Sequence, residues 1–153
     1  MFKFTINSTD EYRRLREFFE ANELEYDDDD DFDSAEGVIK AWKITQGYKS
    51  EEDFLIGACM LVIRKGRYVI EGIAVDKIMR KLGLGKIMIN KAIDEVKKQG
   101  GDSIILMARK PMFYEALGFH RVDPKDAPEN LFNCQGCPQY LKECNPEIME
   151  INF

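Results

Sequence analysis

A single histidine, His120, and a single tryptophan stand among the 153 residues of this chain. With no second histidine, a histidine-centred mechanism is not expected, and His120 reads as a strand residue rather than a catalyst or metal ligand. Long apolar runs are missing too. No segment approaches the roughly 20 consecutive apolar residues of a membrane-spanning helix, and the amino terminus MFKFTINSTDEYRR has no apolar signal core. A cytoplasmic protein without membrane contact is the expectation. Positive charge is outweighed: 22 Lys and Arg stand against 28 Asp and Glu, a net charge of −6. Without a basic stripe to displace counterions from phosphates, nucleic-acid binding is not expected. An acidic surface suits a cationic partner better. The four cysteines are expected as reduced thiols rather than a disulfide framework.

What is present suffices for one domain over residues 1–153, since a chain of this length with 44% hydrophobic residues buries a sizeable core unaided. Residues 2–6 read as an edge strand. Ser8 precedes Glu11 by three, a capping-box spacing, and Tyr12, Leu15, Phe18, Phe19 and Leu24 give the apolar face of a first helix. The aspartates at 27–31, with Asp33, crowd like charges and predict a loop. Residues 38–44 and 54–64 read as strands separated by a polar turn at 46–52. Lys65-Gly66-Arg67 reads as a hairpin turn into the next strand.

The most informative stretch is 68–85. Val69, Ile70, Ile73, Ala74 and Val75 make a short apolar run rich in β-branched residues, which predicts a strand. From Leu84 onward, Met88, Ile89, Ala92, Ile93 and Val96 recur at helical spacing. Gly83 and Gly85 therefore sit where a buried strand turns into an amphipathic helix. Such a junction offers unpaired backbone N–H groups and the positive end of the helix dipole, which together suit a phosphate. It is not a Walker A loop, because Arg80 replaces the first glycine and Ile87 follows Gly85-Lys86 where Ser or Thr is required. It is not a dinucleotide fingerprint either, because the third glycine position is Met88. Downstream, Gly100-Gly101 stops the helix, and 103–108 is a continuous apolar strand of the kind that pairs in parallel at a sheet centre. Pro111 opens a short helix that Gly118 ends. Residues 119–122 and 148–153 read as strands, which leaves 123–146 as a long insertion.

The sextet Arg80-Lys81-Leu82-Gly83-Leu84-Gly85 is similar to the R/Q-x-x-G-x-G/A signature of the GNAT acyltransferase superfamily. The preceding GIAVD resembles that family's fourth strand, and ARKPMFYEALGF at 108–119 resembles its FYEKLGF segment. The resemblance implies a single α/β domain with a mixed, largely antiparallel central sheet flanked by helices, antiparallel early and parallel at its centre. It implies acetyl coenzyme A-dependent N-acetyltransfer to a primary amine. The acidic composition makes a small cationic molecule the first choice of acceptor. A protein or peptide amine is the alternative, and a noncatalytic acyl coenzyme A-binding or metal-sensing module is the reading from another class. A homodimer is an open alternative.

The same resemblance assigns roles. Arg80, Lys81, Leu82, Gly83, Leu84, Gly85 and Lys86 would surround the coenzyme's pyrophosphate. Backbone groups of Ile73, Ala74 and Val75 would serve the developing oxyanion and the pantetheine arm. Tyr114 would protonate the departing thiolate, and the loop after the first helix would border the acceptor pocket. Glu71 is the candidate base, being the one charged residue inside an apolar strand and an even number of residues from Ile73 and Val75, hence on their face. Burial there would raise its pKa, although a structural ion pair explains it equally well. One departure stands: 107–110 reads Met-Ala-Arg-Lys, without the asparagine that many relatives carry after the fifth strand.

The insertion holds Cys134, Cys137 and Cys144. A closed zinc site needs four ligands, and the fourth would come from Cys59, His120, a carboxylate or water. Reduced thiols are the favoured reading, with metal at these three cysteines or a disulfide as alternatives.

Overall fold

Apolar runs alternating with polar turns build one seven-stranded sheet in the computed structural model, which describes residues 4–22, 31–46, 54–126 and 147–153. The expectations for Leu24, the aspartates at 27–30, the turn at 47–52 and Cys134, Cys137 and Cys144 lie outside these residues. The strands are β1 (Phe4–Ser8), β2 (Val38–Gln46), β3 (Phe54–Arg64), β4 (Arg67–Val75), β5 (Ser103–Ala108), β6 (His120–Arg121) and β7 (Glu147–Asn152). Their spatial order is β1-β2-β3-β4-β5-β7-β6. Only β4 and β5 pair in parallel; every other neighbour is antiparallel. This is the mixed, mostly antiparallel α/β sheet that the sequence pointed to.

Three α-helices, α1 (Tyr12–Ala21), α2 (Leu84–Lys98) and α3 (Pro111–Ala116), and two short 3-10 turns complete the described elements. A parallel strand pair requires a crossover, and α2 provides it between β4 and β5. Side chains alternate across β3, so its two faces bind different partners. Ala58, Met60 and Val62 pack with Leu15 and Phe19 of α1. Cys59 and Leu61 pack with Met88, Ile89, Ala92 and Val96 of α2 and with Tyr114 of α3. Each large apolar side chain buried this way contributes about 1.5–3 kcal/mol.

Two local expectations are corrected. Ser8 is not a helix cap: it pairs with Trp42 as the last residue of β1, and strand pairing takes precedence over capping there. At the entry to α1, Thr9 Oγ1 accepts from the Glu11 N–H at 3.1 Å, while the Glu11 carboxylate is ion-paired with Lys43 and Arg14. The second correction concerns β4. Met60 pairs with Gly72 but Leu61 pairs with Ile70, so Glu71 is an extra residue, a β-bulge, and the face order reverses across it. The glycine beside the bulge has a steric reason: a Cβ at Gly72 would lie 2.5 Å from the Phe19 ring.

Candidate active site

The pairing of β4 with β5 consists of Val69 with Ile105 and Ile70 with Leu106. Beyond Ile70 the strands part, so β4 runs on to Val75 without a ladder partner on that side. The Asp76 N–H donates to Ile56 O of β3 at 2.8 Å. Antiparallel ladders alternate, so Ala74 and Gly72 also turn their polar groups toward β3, whereas Ile73 and Val75 turn theirs toward the opening. Of the trio expected to serve the oxyanion, Ala74 therefore turns its backbone toward Ala58 of β3, its ladder partner. Arg80 confirms the direction at Val75: its Nε donates to Val75 O at 3.0 Å. Arg80 therefore ties the following loop to the strand end in addition to bringing charge.

That loop is shaped by two left-handed residues. After a 3-10 turn at Lys77–Met79, capped by Asp76 Oδ1 accepting from the Ile78 N–H at 3.0 Å, Lys81 has φ 79° and Gly83 has φ 76°. A lysine in this region is strained, which concentrates at ligand-holding turns. Gly83 is the N-cap of α2 and offers no side-chain bond to the first N–H groups. A Cβ at Gly83 would meet open space, whereas one at Gly85 would lie 3.1 Å from Cζ of Phe113. The two glycines thus do different work: Gly83 permits the turn and leaves the helix N-terminus open, and Gly85 lets α2 approach α3. An uncapped helix start with Arg80, Lys81 and Lys86 about it fits a pyrophosphate.

Tyr114 lies on α3, 8% exposed. Its ring makes edge contacts with Phe113 at 5.0 Å and Phe119 at 5.5 Å between centroids. It makes no hydrogen bond to a described residue, and no enclosed side-chain oxygen or nitrogen among these residues lacks a partner, so the hydroxyl keeps contact with solvent. Burial, and secondarily the nearby Cys59, raise its pKa. The phenol is protonated through the neutral range, as an unshifted phenol also is, and the shift makes it a weaker acid. Burial pushes the Cys59 thiol up to about 12, so Cys59 is a packing residue rather than a nucleophile.

Glu71 is not on the face of Ile73 and Val75. The bulge breaks the even-spacing rule: Ile73 and Val75 pack on the α2 side, whereas Glu71 meets Arg16 of α1 at 3.3 Å and Arg64 of β3 at 3.1 Å. Both carboxylate oxygens are held by guanidinium groups. Arg16 is the residue that sequence reasoning missed. Its place four residues after Tyr12 and three before Phe19, on the buried side of α1, was the available signal. His120 lies exposed in edge strand β6, 3.8 Å from the Glu150 carboxylate. Among the described residues no group of three metal-ligating side chains occurs, and no helix is long and apolar enough to cross a membrane.

Comparison with known proteins places this geometry in context. The profile of the acetyltransferase (GNAT) family matches residues 8–119. The uncharacterised N-acetyltransferase CT2212 of Chlorobaculum tepidum is 20% identical over 89 residues, 57% of each chain; the match thus spans little more than half of that protein's length. Among solved structures, an acetyltransferase of the GNAT family from Staphylococcus aureus Mu50 superposes with a TM-score of 0.71 at 21% identity, covering 98% of this chain and 99% of that one. The NatC complex bound to Gag peptide and CoA contains a chain that superposes with a TM-score of 0.68 at 16% identity, covering 99% of each.

Proposed function

Because this chain belongs to the GNAT acetyltransferase family, we propose that it transfers the acetyl group of acetyl coenzyme A to a primary amine on a small cationic molecule. The observation that carries this reading is the adjacency of an open, glycine-led helix start to a strand whose pairing with β5 stops at Ile70. Acetyl coenzyme A supplies an activated thioester carbonyl. Backbone N–H groups at the start of α2 hold the pyrophosphate, with Arg80, Lys81 and Lys86 adding charge. The N–H groups of Ile73 and Val75 face the opening and stabilise negative charge as it develops on the carbonyl oxygen.

The amine must be neutral to attack, and its proton passes to water, since both oxygens of Glu71 are engaged by arginines. Tyr114 gives its hydroxyl proton to the departing sulfur and regains one from solvent. The preference for a cationic acceptor rests on charge. In the shallow depression at the start of α1, Glu11, Glu17 and Asp33 are already paired with Lys43, Arg14 and Arg13, so the preference stands on the net charge of −6.

A peptide amine is the second reading, supported by the peptide in the NatC structure. A thiol-release screen with acetyl coenzyme A against polyamines, aminoglycosides and peptides separates the two. Release above the hydrolysis background with polyamines or aminoglycosides is expected. A response to peptides alone would replace the first reading by the second. Coenzyme binding without turnover of any amine would leave a noncatalytic module.

A further inference from the structure

No side-chain hydrogen bond to a described residue fixes the ring of Tyr114, so packing decides where its hydroxyl points. Two rings supply that packing. Phe119 is 4% exposed and belongs to the same core cluster as Met149; its ring stands 5.5 Å from that of Tyr114 at 72°, and its N–H donates to Tyr114 O at 3.0 Å. On the other side, Phe113 meets Tyr114 at 5.0 Å and 81°, yet it is 40% exposed. Consecutive residues of a helix do not ordinarily face each other, and α3 has only six residues. The contact between these two rings therefore depends on what backs Phe113.

The backing comes from α2. A Cβ at Gly85 would lie 3.1 Å from Phe113 Cζ, closer than the roughly 3.5–4.0 Å at which carbons settle, so the ring rests against the backbone of Gly85. Gly85 is the second residue of α2, in the turn whose N–H groups make the cradle. Phe113 thus lies between the two ends of the donor site, touching the helix start on one side and Tyr114 on the other. A pantetheine arm has a fixed reach from pyrophosphate to sulfur, so a proton donor serves that sulfur only at a matching distance from the cradle. A misplacement of about 1 Å can cost on the order of a hundredfold in rate.

We propose that Phe113 is a positioning residue: lodged against Gly85, its ring sets the Tyr114 hydroxyl at the distance from the cradle that the coenzyme's sulfur requires. The proposal rests on the acetyltransfer reading above with Tyr114 as proton donor. It also gives Gly85 a part at the acid end of the site.

The test is a double-mutant cycle in the full chain, with Phe113→Ala, Tyr114→Phe and the pair. Turnover is measured at saturating acetyl coenzyme A and saturating spermidine, or the amine of highest turnover in the screen, and calorimetric titration with coenzyme A reports that each variant is folded. Phe119 still holds one side of the ring, so Phe113→Ala should lower kcat about tenfold, with the Kd for coenzyme A within about threefold. In the Tyr114→Phe background the same substitution should change kcat by less than about twofold, because no hydroxyl is left to misplace. Phe113→Leu, which keeps apolar bulk without a ring edge, should fall between wild type and alanine. An equal fall of kcat in both backgrounds would show that Phe113 acts other than through Tyr114 and would overturn the proposal. Unchanged kcat in Phe113→Ala would overturn it too, as would a loss of coenzyme A affinity of about tenfold or more, the mark of a direct coenzyme contact. Should Phe113→Ala not fold, Phe113→Leu goes through the same cycle and decides by the same criteria. Wild-type kcat in Tyr114→Phe would remove the proton donor and this inference with it, and a wild type inactive toward every amine would sink the acetyltransfer reading as well. An enzyme that depends on Tyr114 but not on Phe113 sinks the inference alone.

Discussion

Substituting Gly83 by alanine separates backbone strain from ligand binding. Gly83 has φ 76° and its added methyl would meet nothing within 4 Å, so no packing term enters. The left-handed conformation destabilises an alanine by about 1–2 kcal/mol relative to glycine, a drop in Tm of about 2–4 °C per kcal/mol for a domain of this length. Gly66, in the β3–β4 turn with φ 75°, and Gly100, after α2 with φ 86°, are equally open. All three alanine variants should therefore lose similar stability. Only at Gly83 does the methyl stand beside the first N–H groups of α2. Hydrogen bonds to a charged group contribute about 1.5–3 kcal/mol each, so displacing one phosphate oxygen from its donor should raise the Kd for coenzyme A roughly 10- to 100-fold. Urea unfolding gives the stability arm and calorimetric titration with coenzyme A the binding arm. Coenzyme A affinity retained in Gly83→Ala, or lost to the same degree in Gly66→Ala, would refute the cradle.

Two further perturbations probe the frame. Gly72→Ala drives a methyl to 2.5 Å from the ring of Phe19, which is fully buried, and overpacking of this kind costs about 1–3 kcal/mol; an unchanged urea midpoint would contradict the packing of α1 on the bulge. The Lys43 ammonium, with Arg14, lowers the Glu11 carboxyl from 4.5 to about 2. A depressed carboxylate stabilises the fold above its unfolded pKa and loses that contribution as pH falls from about 4.5 to about 2. Glu11→Gln should flatten the pH dependence of stability in that window, modestly and less at high salt because the group is 36% exposed. An identical acid profile for both proteins would show the ion pair to be energetically silent.

The strand, turn and helix that make up the candidate donor half were legible because their signals are local. Glycine spacing, helical periodicity from Leu84 and the strand before it all lie within one short stretch, and short-range backbone rules decide them. What escaped depends on long-range contacts. The face of Glu71 follows from spacing only if the strand is regular, and the bulge arises from register with β3 and from Phe19 of α1 lying on Gly72. A glycine inside a strand was a signal for that bulge. The hydrogen-bonding direction of Ala74 likewise depends on which residue of β3 it meets. Ser8 fitted a capping pattern, but its pairing with Trp42 draws it into β1. Arg16 drew no reading: its place on the buried side of α1 was legible, but nothing local reveals the carbonyls of Asp31, Phe32 and Ser34 that converge on it.

The central claim, that the opening beyond Ile70 is an acyl-transfer site with Tyr114 as proton donor, is met most directly by kcat of Tyr114→Phe, measured alongside its affinity for acetyl coenzyme A. Phenylalanine keeps the ring contacts with Phe113 and Phe119 and removes only the hydroxyl. A thiolate is already a fair leaving group, so the effect belongs at the lower end of general-acid contributions, about a hundredfold in kcat, with acetyl coenzyme A affinity within about threefold. Unchanged kcat in this variant, at unchanged affinity, would contradict the account.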